Sequence, residues 1–344
     1  MIAAVEAEGA GFADYKPGEA IVELRELIVD YGFGQGRVRA VDGIDLTIRV
    51  GEIVGLAGES GCGKSTVANA IMQILRPPAR LAGGSILFRG EDLAAKNRER
   101  LRRYRWQNVS MVFQSAMNAL NPVTRVGEQF VDMMRAHERI SRRGAMSRAA
   151  ELLELVGIDG RRVRAFPHEL SGGMRQRVII AMALALEPEL VIMDEPTTAL
   201  DVVVQREILQ QVQELQAKLG FAVLFITHDL SLLIEFAHRI AIMYAGEIVE
   251  TSPAATLHTN PQHPYTRGLM ASFPPLTGPR QRLVGIPGAP PDLADPPAGC
   301  RFHPRCPLCD PGGAAYRLQT TERPVLRDVE SGHQVACHLA GDPA

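Results

Sequence analysis

The chain has 344 residues, a net charge of −2 and 22% charged residues, enough length for one large core or for a large and a small domain. That balance lacks the basic excess of a nucleic-acid binder, so no nucleic-acid partner is expected. No apolar run approaches the roughly 18–20 residues of a membrane span, and the first 20 residues carry Glu6, Glu8 and Asp14 where a signal peptide needs positive charge. The expectation is a cytoplasmic chain that reaches a membrane only through a partner.

Residues 1–20 read as a flexible N-terminus. From about 21 to 50 the hydrophobicity alternates with a period near two, which predicts a small antiparallel β layer. Ile53–Ala57 reads as an apolar strand and Lys64–Leu75 as a helix. Between them, Gly58-Glu59-Ser60-Gly61-Cys62-Gly63-Lys64-Ser65 fits G-x-x-x-x-G-K-[ST], followed by Thr66, in the strand–loop–helix context that motif requires. Gly58, Ser60, Gly61, Cys62 and Gly63 let backbone N–H groups wrap a phosphate. Lys64 is then expected to reach the β- and γ-phosphate oxygens, and Ser65 to ligate Mg²⁺. A thiol at Cys62 lies near a helix N-terminus, which can lower its pKa. The simpler reading is a small residue offering its N–H to phosphate.

Residues from about 92 to 169 are richer in helix formers and charge, with Arg98, Arg100, Arg102, Arg103 and Arg105 read as a solvated helix face. Within this stretch Val109–Phe113 reads as a strand followed by Gln114. Ser171, Gly172 and Gly173 lead directly into a helical run. Small residues at a helix N-terminus make a second phosphate-seeking loop, and two such loops imply a nucleotide gripped from both sides. Leu190–Met193 is a strand running into Asp194 and Glu195: Asp194 is suited to the Mg²⁺ shell and Glu195 to polarising an attacking water. Gln205–Leu219 reads as a helix, Val223–Thr227 and Ile240–Tyr244 as strands. Apolar strands alternating with helices predict a mostly parallel sheet covered on both faces. Most of the 23 prolines lie after residue 252, so the tail is expected to lack long helices and to be irregular, or held by something other than a core.

Cys300, Cys306, Cys309 and Cys337 crowd the end of the chain with spacing C-x₅-C-x₂-C-x₂₇-C. In a reducing compartment this pattern reads as metal ligation rather than disulfides. Four thiolates suit a [4Fe–4S] cluster or a tetrahedral zinc, unligated thiols being the bland alternative. His303, His333 and His338 stand as substitute ligands.

Taken in order, these motifs resemble the ATPase subunits of ABC transporters from about residue 21 to 250. The resemblance implies an α/β P-loop NTPase core of the RecA-like type, with an antiparallel β subdomain and a helical subdomain at about 92–176. The ATPase domain would span 21–260 and a C-terminal extension 261–344. It implies that Gln114 is the Q-loop glutamine, that Ser171, Gly172 and Gly173 form the signature loop facing the partner's γ-phosphate, and that Ala199-Leu200-Asp201 is the D-loop. It further implies that His228 is the switch histidine, that Tyr31 stacks on adenine, and that ATP with Mg²⁺ is hydrolysed between two such subunits.

Two further stretches resemble the dipeptide and oligopeptide importer branch: Phe113–Pro122, and the tail with His263-Pro264-Tyr265-Thr266 and Gly299–Pro307. That branch also includes importers of nickel and other small solutes. Membership implies a second related ATPase, two transmembrane permeases, an extracytoplasmic solute-binding protein and a peripheral position on the cytoplasmic face of the membrane. Some members carry a [4Fe–4S] cluster. A soluble ABC protein acting on nucleic acid or ribosomes would normally show a coiled coil or two ATPase units. A pure sensor module would not need Glu195 and His228.

Overall fold

A computed structural model describes residues 18–114, 119–196, 201–272 and 285–340. The first half of the chain builds β1 (Ala20–Tyr31), β2 (Val38–Arg49), β3 (Ile53–Ala57), α1 (Lys64–Ile71), β4 (Ala79–Phe88), β5 (Glu91–Asp92), α2 (Arg98–Arg103), β6 (Val109–Val112), α3 (Val126–His137) and α4 (Arg142–Leu155). The second half adds α5 (Gly172–Leu184), β7 (Leu190–Asp194), α6 (Val202–Leu219), β8 (Ala222–Thr227), α7 (Leu230–Phe236), β9 (Arg239–Tyr244) and β10 (Glu247–Pro253). After these come α8 (Ala254–Thr259), α9 (Pro264–Ala271), α10 (Tyr316–Thr321), β11 (Arg327–Glu330) and β12 (His333–Val335).

The strands form two sheets, one in the order β2-β1-β4-β5 and antiparallel, the other in the order β11-β12-β10-β9-β3-β8-β7-β6. The centre of the larger sheet, β9-β3-β8-β7-β6, is parallel throughout. Every residue of β3, β7 and β8 is buried, as expected where both faces of a parallel sheet are covered. Alternate residues sort to opposite faces because strand side chains have a period of two. Leu190, Ile192, Leu224 and Ile226 join α1 and the antiparallel sheet in one core. Val191, Met193, Val223 and Phe225 join the helical side in the other. The predicted β layer, strands and helices therefore recur with shifted ends. The first helix stops at Ile71 rather than Leu75.

The tail behaves differently from the expectation. Its prolines do preclude long helices, yet it is attached to the main core. Tyr265 and Phe302 are almost fully buried in the core on the helical side, with Phe302 at ring distances of 5.2 Å from Tyr244 and 5.4 Å from Tyr265. Strand β12 adds antiparallel to β10, matching Glu250 with Val335 and Thr251 with Gln334. At this seam Glu250, completely buried, accepts the N–H groups of Gln262 (2.7 Å) and His263 (3.0 Å) and meets His333 Nε2 at 2.7 Å. Burial works to raise its pKa, but His333, the nearby Thr266 hydroxyl and the two amides outweigh that and hold it below the usual carboxylate range. Arg301 and Arg323, both from the tail, bridge Asp42 of β2 and Glu247 of β10.

Candidate functional site

The site lies where β3 gives way to α1. Glycines are required in the connecting loop because the backbone passes so close to its neighbours. A Cβ on Gly58 would stand 2.1 Å from the Met243 carbonyl oxygen, and one on Gly63 2.3 Å from that of Ala40, with φ at +153° and +107°. The loop thus leaves its strand in a conformation that L side chains rarely adopt and brings Lys64 to the start of α1. Lys64 folds back over it, its Nζ donating to the carbonyls of Gly58 (2.7 Å) and Glu59 (2.9 Å). Ser60 is exposed, and Gly61 takes a positive φ at the crest of the loop.

Cys62 departs from what its position suggested. The side chain is buried, and burial pushes the thiol pKa up despite the nearby Lys64 ammonium. Its N–H donates to the Glu59 carbonyl at 3.3 Å, inside the loop. Thr66, one residue into α1 past Ser65, meets the hydroxyl of Tyr31 at 3.2 Å. The aromatic at the end of β1 is thereby fixed beside the loop.

Asp194 ends β7 and is buried. Burial raises its pKa, an effect offset in part by a hydrogen bond with Ser65. Its Oδ1 has no hydrogen-bond partner, an orphaned acceptor next to a serine hydroxyl. Such a pair matches the hard oxygen donors that Mg²⁺ takes, so the residues present fit the ion. Glu195 follows with φ +46°, a left-handed backbone that is costly for a non-glycine residue and that turns its side chain away from the strand direction. Gln114 Nε2 donates to Glu195 Oε2 at 2.9 Å, and His228 Nδ1 meets Oε1 at 3.2 Å. Strands β6, β7 and β8 are adjacent and parallel, so their C-terminal ends deliver Gln114, Asp194–Glu195 and His228 to one edge. Two residues far from Glu195 in sequence, Gln114 and His228, converge on its carboxylate, and their exposed positions leave that edge open.

Ser171 caps α5, accepting the N–H of Met174 at 3.2 Å. Asp201 caps α6 in the same way through Val204 at 3.0 Å. A Cβ on Gly173 would stand 3.0 Å from Val204 Cγ1, so the two helix starts lie side by side. Ser171, Asp201, Val202 and Val203 are exposed there, with Gly172 and Gly173 half-buried. Thr197–Leu200, holding the first two residues of the expected D-loop, and Ser115–Asn118 of the stretch after Gln114 lie outside the described residues.

The four tail cysteines gather at one corner without closing on one point. Burial pushes Cys300 up to about 12, and its thiol also feels those of Cys337 and Cys306. Burial likewise raises Cys306, which feels Cys337 and Cys309. Among the described residues no group of three or more His, Cys, Asp or Glu stands ready to hold a metal ion. The cluster expected from the spacing therefore has donors of suitable chemistry but no formed ligand sphere. His333, weighed as a substitute ligand, is committed to Glu250 instead, and His338 Nε2 to the Glu322 carbonyl at 2.8 Å.

Tyr265 and Arg305 lie in the tail stretches that carry the resemblance, but sequence reading missed their contact with the loop. Both reach the phosphate-type loop at Glu59 from the far end of the chain, and no local motif announces such a contact. Among the described residues no helix is long and apolar enough to cross a membrane.

Residues 41–198 match the family model described as ABC transporter, and residues 249–312 match the one described as oligopeptide/dipeptide transporter, C-terminal region. The chain is 43% identical to the oligopeptide transport ATP-binding protein OppD of Bacillus subtilis, over 93% of this chain and 88% of that protein. It is 41% identical to the dipeptide transport ATP-binding protein DppD of Escherichia coli, over 94% and 98% respectively. Among solved structures, a dimeric ATP-binding cassette in a post-hydrolysis state with ADP and Pi superposes with a TM-score of 0.61 at 29% identity, covering 68% of this chain and 99% of that one. The cbiO1 protein of Clostridium perfringens, part of an ABC transporter complex, gives a TM-score of 0.61 at 27% identity over 70% and 92%.

Proposed function

Because the chain belongs to the ABC transporter ATP-binding proteins, in their oligopeptide and dipeptide branch, we propose that it is the ATP-hydrolysing subunit of an importer that energises peptide uptake. The observation that carries the assignment of roles is the meeting of Gln114 and His228 on Glu195, next to a buried Asp194 with an unused oxygen.

In this reading Gly58–Thr66 receives the triphosphate. Lys64 exchanges the carbonyls of Gly58 and Glu59 for β- and γ-phosphate oxygens, and Tyr31 stacks on the adenine. Ser65 and Asp194, with Gln114, would hold Mg²⁺, which would supply charge neutralisation at the phosphates. Glu195 accepts a proton from the water that attacks the γ-phosphorus in line, as the bond to the ADP oxygen breaks. Gln114 and His228 orient that carboxylate, and His228 contacts the γ-phosphate. Positioning and charge neutralisation supply most of the rate.

The exposed face carrying Ser171, Gly172, Gly173 and Asp201 completes the site of a second ATPase subunit, a related chain by preference. The N-terminus of α5, beyond the Met174 N–H that Ser171 accepts, offers N–H donors to a γ-phosphate bound elsewhere. A single copy alone therefore hydrolyses ATP poorly. Two membrane permeases and an extracytoplasmic solute-binding protein complete the machine, and this chain works on the cytoplasmic face of the membrane. For the tail thiols Cys300, Cys306, Cys309 and Cys337 we propose a [4Fe–4S] cluster that staples the extension. The support is the donor set and the mutual proximity of three thiols. An anaerobic preparation free of iron would overturn it.

The deciding experiment replaces Glu195 by Gln in the assembled transporter. Hydrolysis should fall by about 10²–10⁴-fold while ATP binding persists and locks the ATPase dimer. Near-normal hydrolysis would remove Glu195 as the base. Peptide bound to the co-purified solute-binding protein would identify the cargo.

A further inference from the structure

Glu59, the second residue of the phosphate loop, has every polar group engaged. Its carbonyl accepts from Lys64 Nζ (2.9 Å) and from the Cys62 N–H (3.3 Å), both within the loop. Its N–H donates to the Tyr265 hydroxyl at 2.9 Å. Its carboxylate takes a two-pronged contact from Arg305, Nη1 at 2.7 Å and Nη2 at 2.9 Å. Tyr265 and Arg305 are 206 and 246 residues away in sequence, and both belong to the tail.

Arg305 is itself held. Its Nε donates to the Pro287 carbonyl at 2.8 Å and Nη1 reaches the Tyr244 hydroxyl at 3.3 Å, with only 6% of the side chain exposed. Pro290, Pro291 and Leu293 roof the same stretch of loop across a cavity of roughly 110 Å³. Docking the tail does not require any of this. The Tyr244–Tyr265–Phe302 rings and the pairing of β12 with β10 already attach it to the core.

We infer that Arg305 and Tyr265 are positioning residues of the nucleotide site, holding the phosphate loop in its receiving shape before ATP arrives. Two physical consequences motivate this, given the ATP-binding reading of the loop on which it rests. A loop with three left-handed glycines loses much conformational freedom when it wraps a phosphate, and a loop already pinned at Glu59 loses less on binding. A carboxylate at the second loop position also opposes an incoming polyanion, and a guanidinium paired to both of its oxygens cancels that opposition. Arg305 immediately precedes Cys306, so the fold of the cysteine corner sets where the clamp sits.

The test reads MgATP and MgADP affinity and hydrogen exchange of residues 58–65 without nucleotide on the full-length protein, and KM and kcat separately in the assembled transporter. Arg305→Ala should weaken ATP binding about tenfold, as expected for losing a paired charge-assisted contact, with the change appearing in Kd and KM rather than kcat. Exchange in the loop should rise while β3 stays protected. Arg305→Lys should recover only part of the affinity, since a point charge cannot make the two-pronged contact. Combining Arg305→Ala with Glu59→Gln should cost no more than the worse single change. Should Arg305→Ala fail to fold, Tyr265→Phe keeps the ring and removes only the oxygen that accepts from Glu59. It should also weaken ATP binding and loosen the loop.

Unchanged affinity and unchanged loop exchange in folded Arg305→Ala or Tyr265→Phe would overturn the inference, as would a loss confined to kcat or an additive double variant. A wild-type protein that binds no ATP would instead overturn the functional reading. The exchange measurement would still decide whether the clamp holds the loop.

Discussion

Replacing Phe302 by Ala tests whether the tail is part of the ATPase body or an appendage. The ring is 2% exposed and belongs to the large core on the helical side. It stands 5.2 Å from Tyr244, 5.4 Å from Tyr265 and 5.7 Å from His263, ring centre to ring centre. Truncating a buried phenylalanine costs about 3–5 kcal/mol through lost transfer energy and the residual cavity. The aromatic contacts lie within that figure. Relief by collapse is limited, because the neighbouring rings are fixed by β9, by α9 and by the Arg305 contacts. A domain typically has only about 5–15 kcal/mol in hand, so the loss should be plain in urea unfolding followed through Trp106, the sole tryptophan. Protease should cut the 285–300 stretch at the same, lowered urea concentration as the Trp106 transition, since the tail unfolds with the core it shares. A loss under about 1 kcal/mol, with protease resistance intact, would refute the claim that the tail shares the core.

Gly63→Ala should abolish nucleotide binding and destabilise the fold, because the new methyl meets the Ala40 carbonyl and the backbone sits at φ +107°; calorimetric titration with ATP checks it. His263 is neutral in the fold, its pKa lowered to about 4 by burial from an ordinary 6.5, with Arg267 adding to the fall and Glu250 opposing it. Between those two values the unfolded chain binds the extra proton, so stability falls as pH drops through about 6.5 towards 4. At pH 5 the loss is about 2 kcal/mol relative to pH 7. His263→Asn, which can still cap α9 in place of the Nδ1 that accepts from Tyr265 N–H, should flatten that dependence when unfolding is measured at both pH values. In iron-free protein, alkylation followed by mass spectrometry at pH 8 should modify Cys309 well before Cys62, which is 5% exposed and held protonated by burial; simultaneous modification would contradict its burial.

The parts of the site that the sequence disclosed are those written in contiguous residues. Gly58–Thr66 and Leu190–Glu195 specify strand, turn and donor set within a few positions, and parallel neighbours then align their ends. The tail shows the opposite case. Arg301 and Arg305 resemble surface arginines in the sequence because their partners, Asp42 and Glu59, are 259 and 246 residues distant. His333 looked like a spare ligand because nothing local signals that Glu250 is buried beside it. Cys62 was weighed as a reactive thiol from its place before a helix, but desolvation outweighs the helix end and the lysine. Spacing placed the four tail cysteines within one stretch of chain. It carried no information on whether their side chains close around a common centre.

Strand β12 reaches β10 from well downstream, the Glu250–His333 pair spanning 83 residues. Without His333, Glu250 has only part of the bonding that offsets its burial, and without β12 the outer edge of β10 is a row of open backbone groups. The cassette therefore borrows the closure of its sheet from the tail, and cutting the chain after residue 272 would leave a sticky edge open to pairing with another chain.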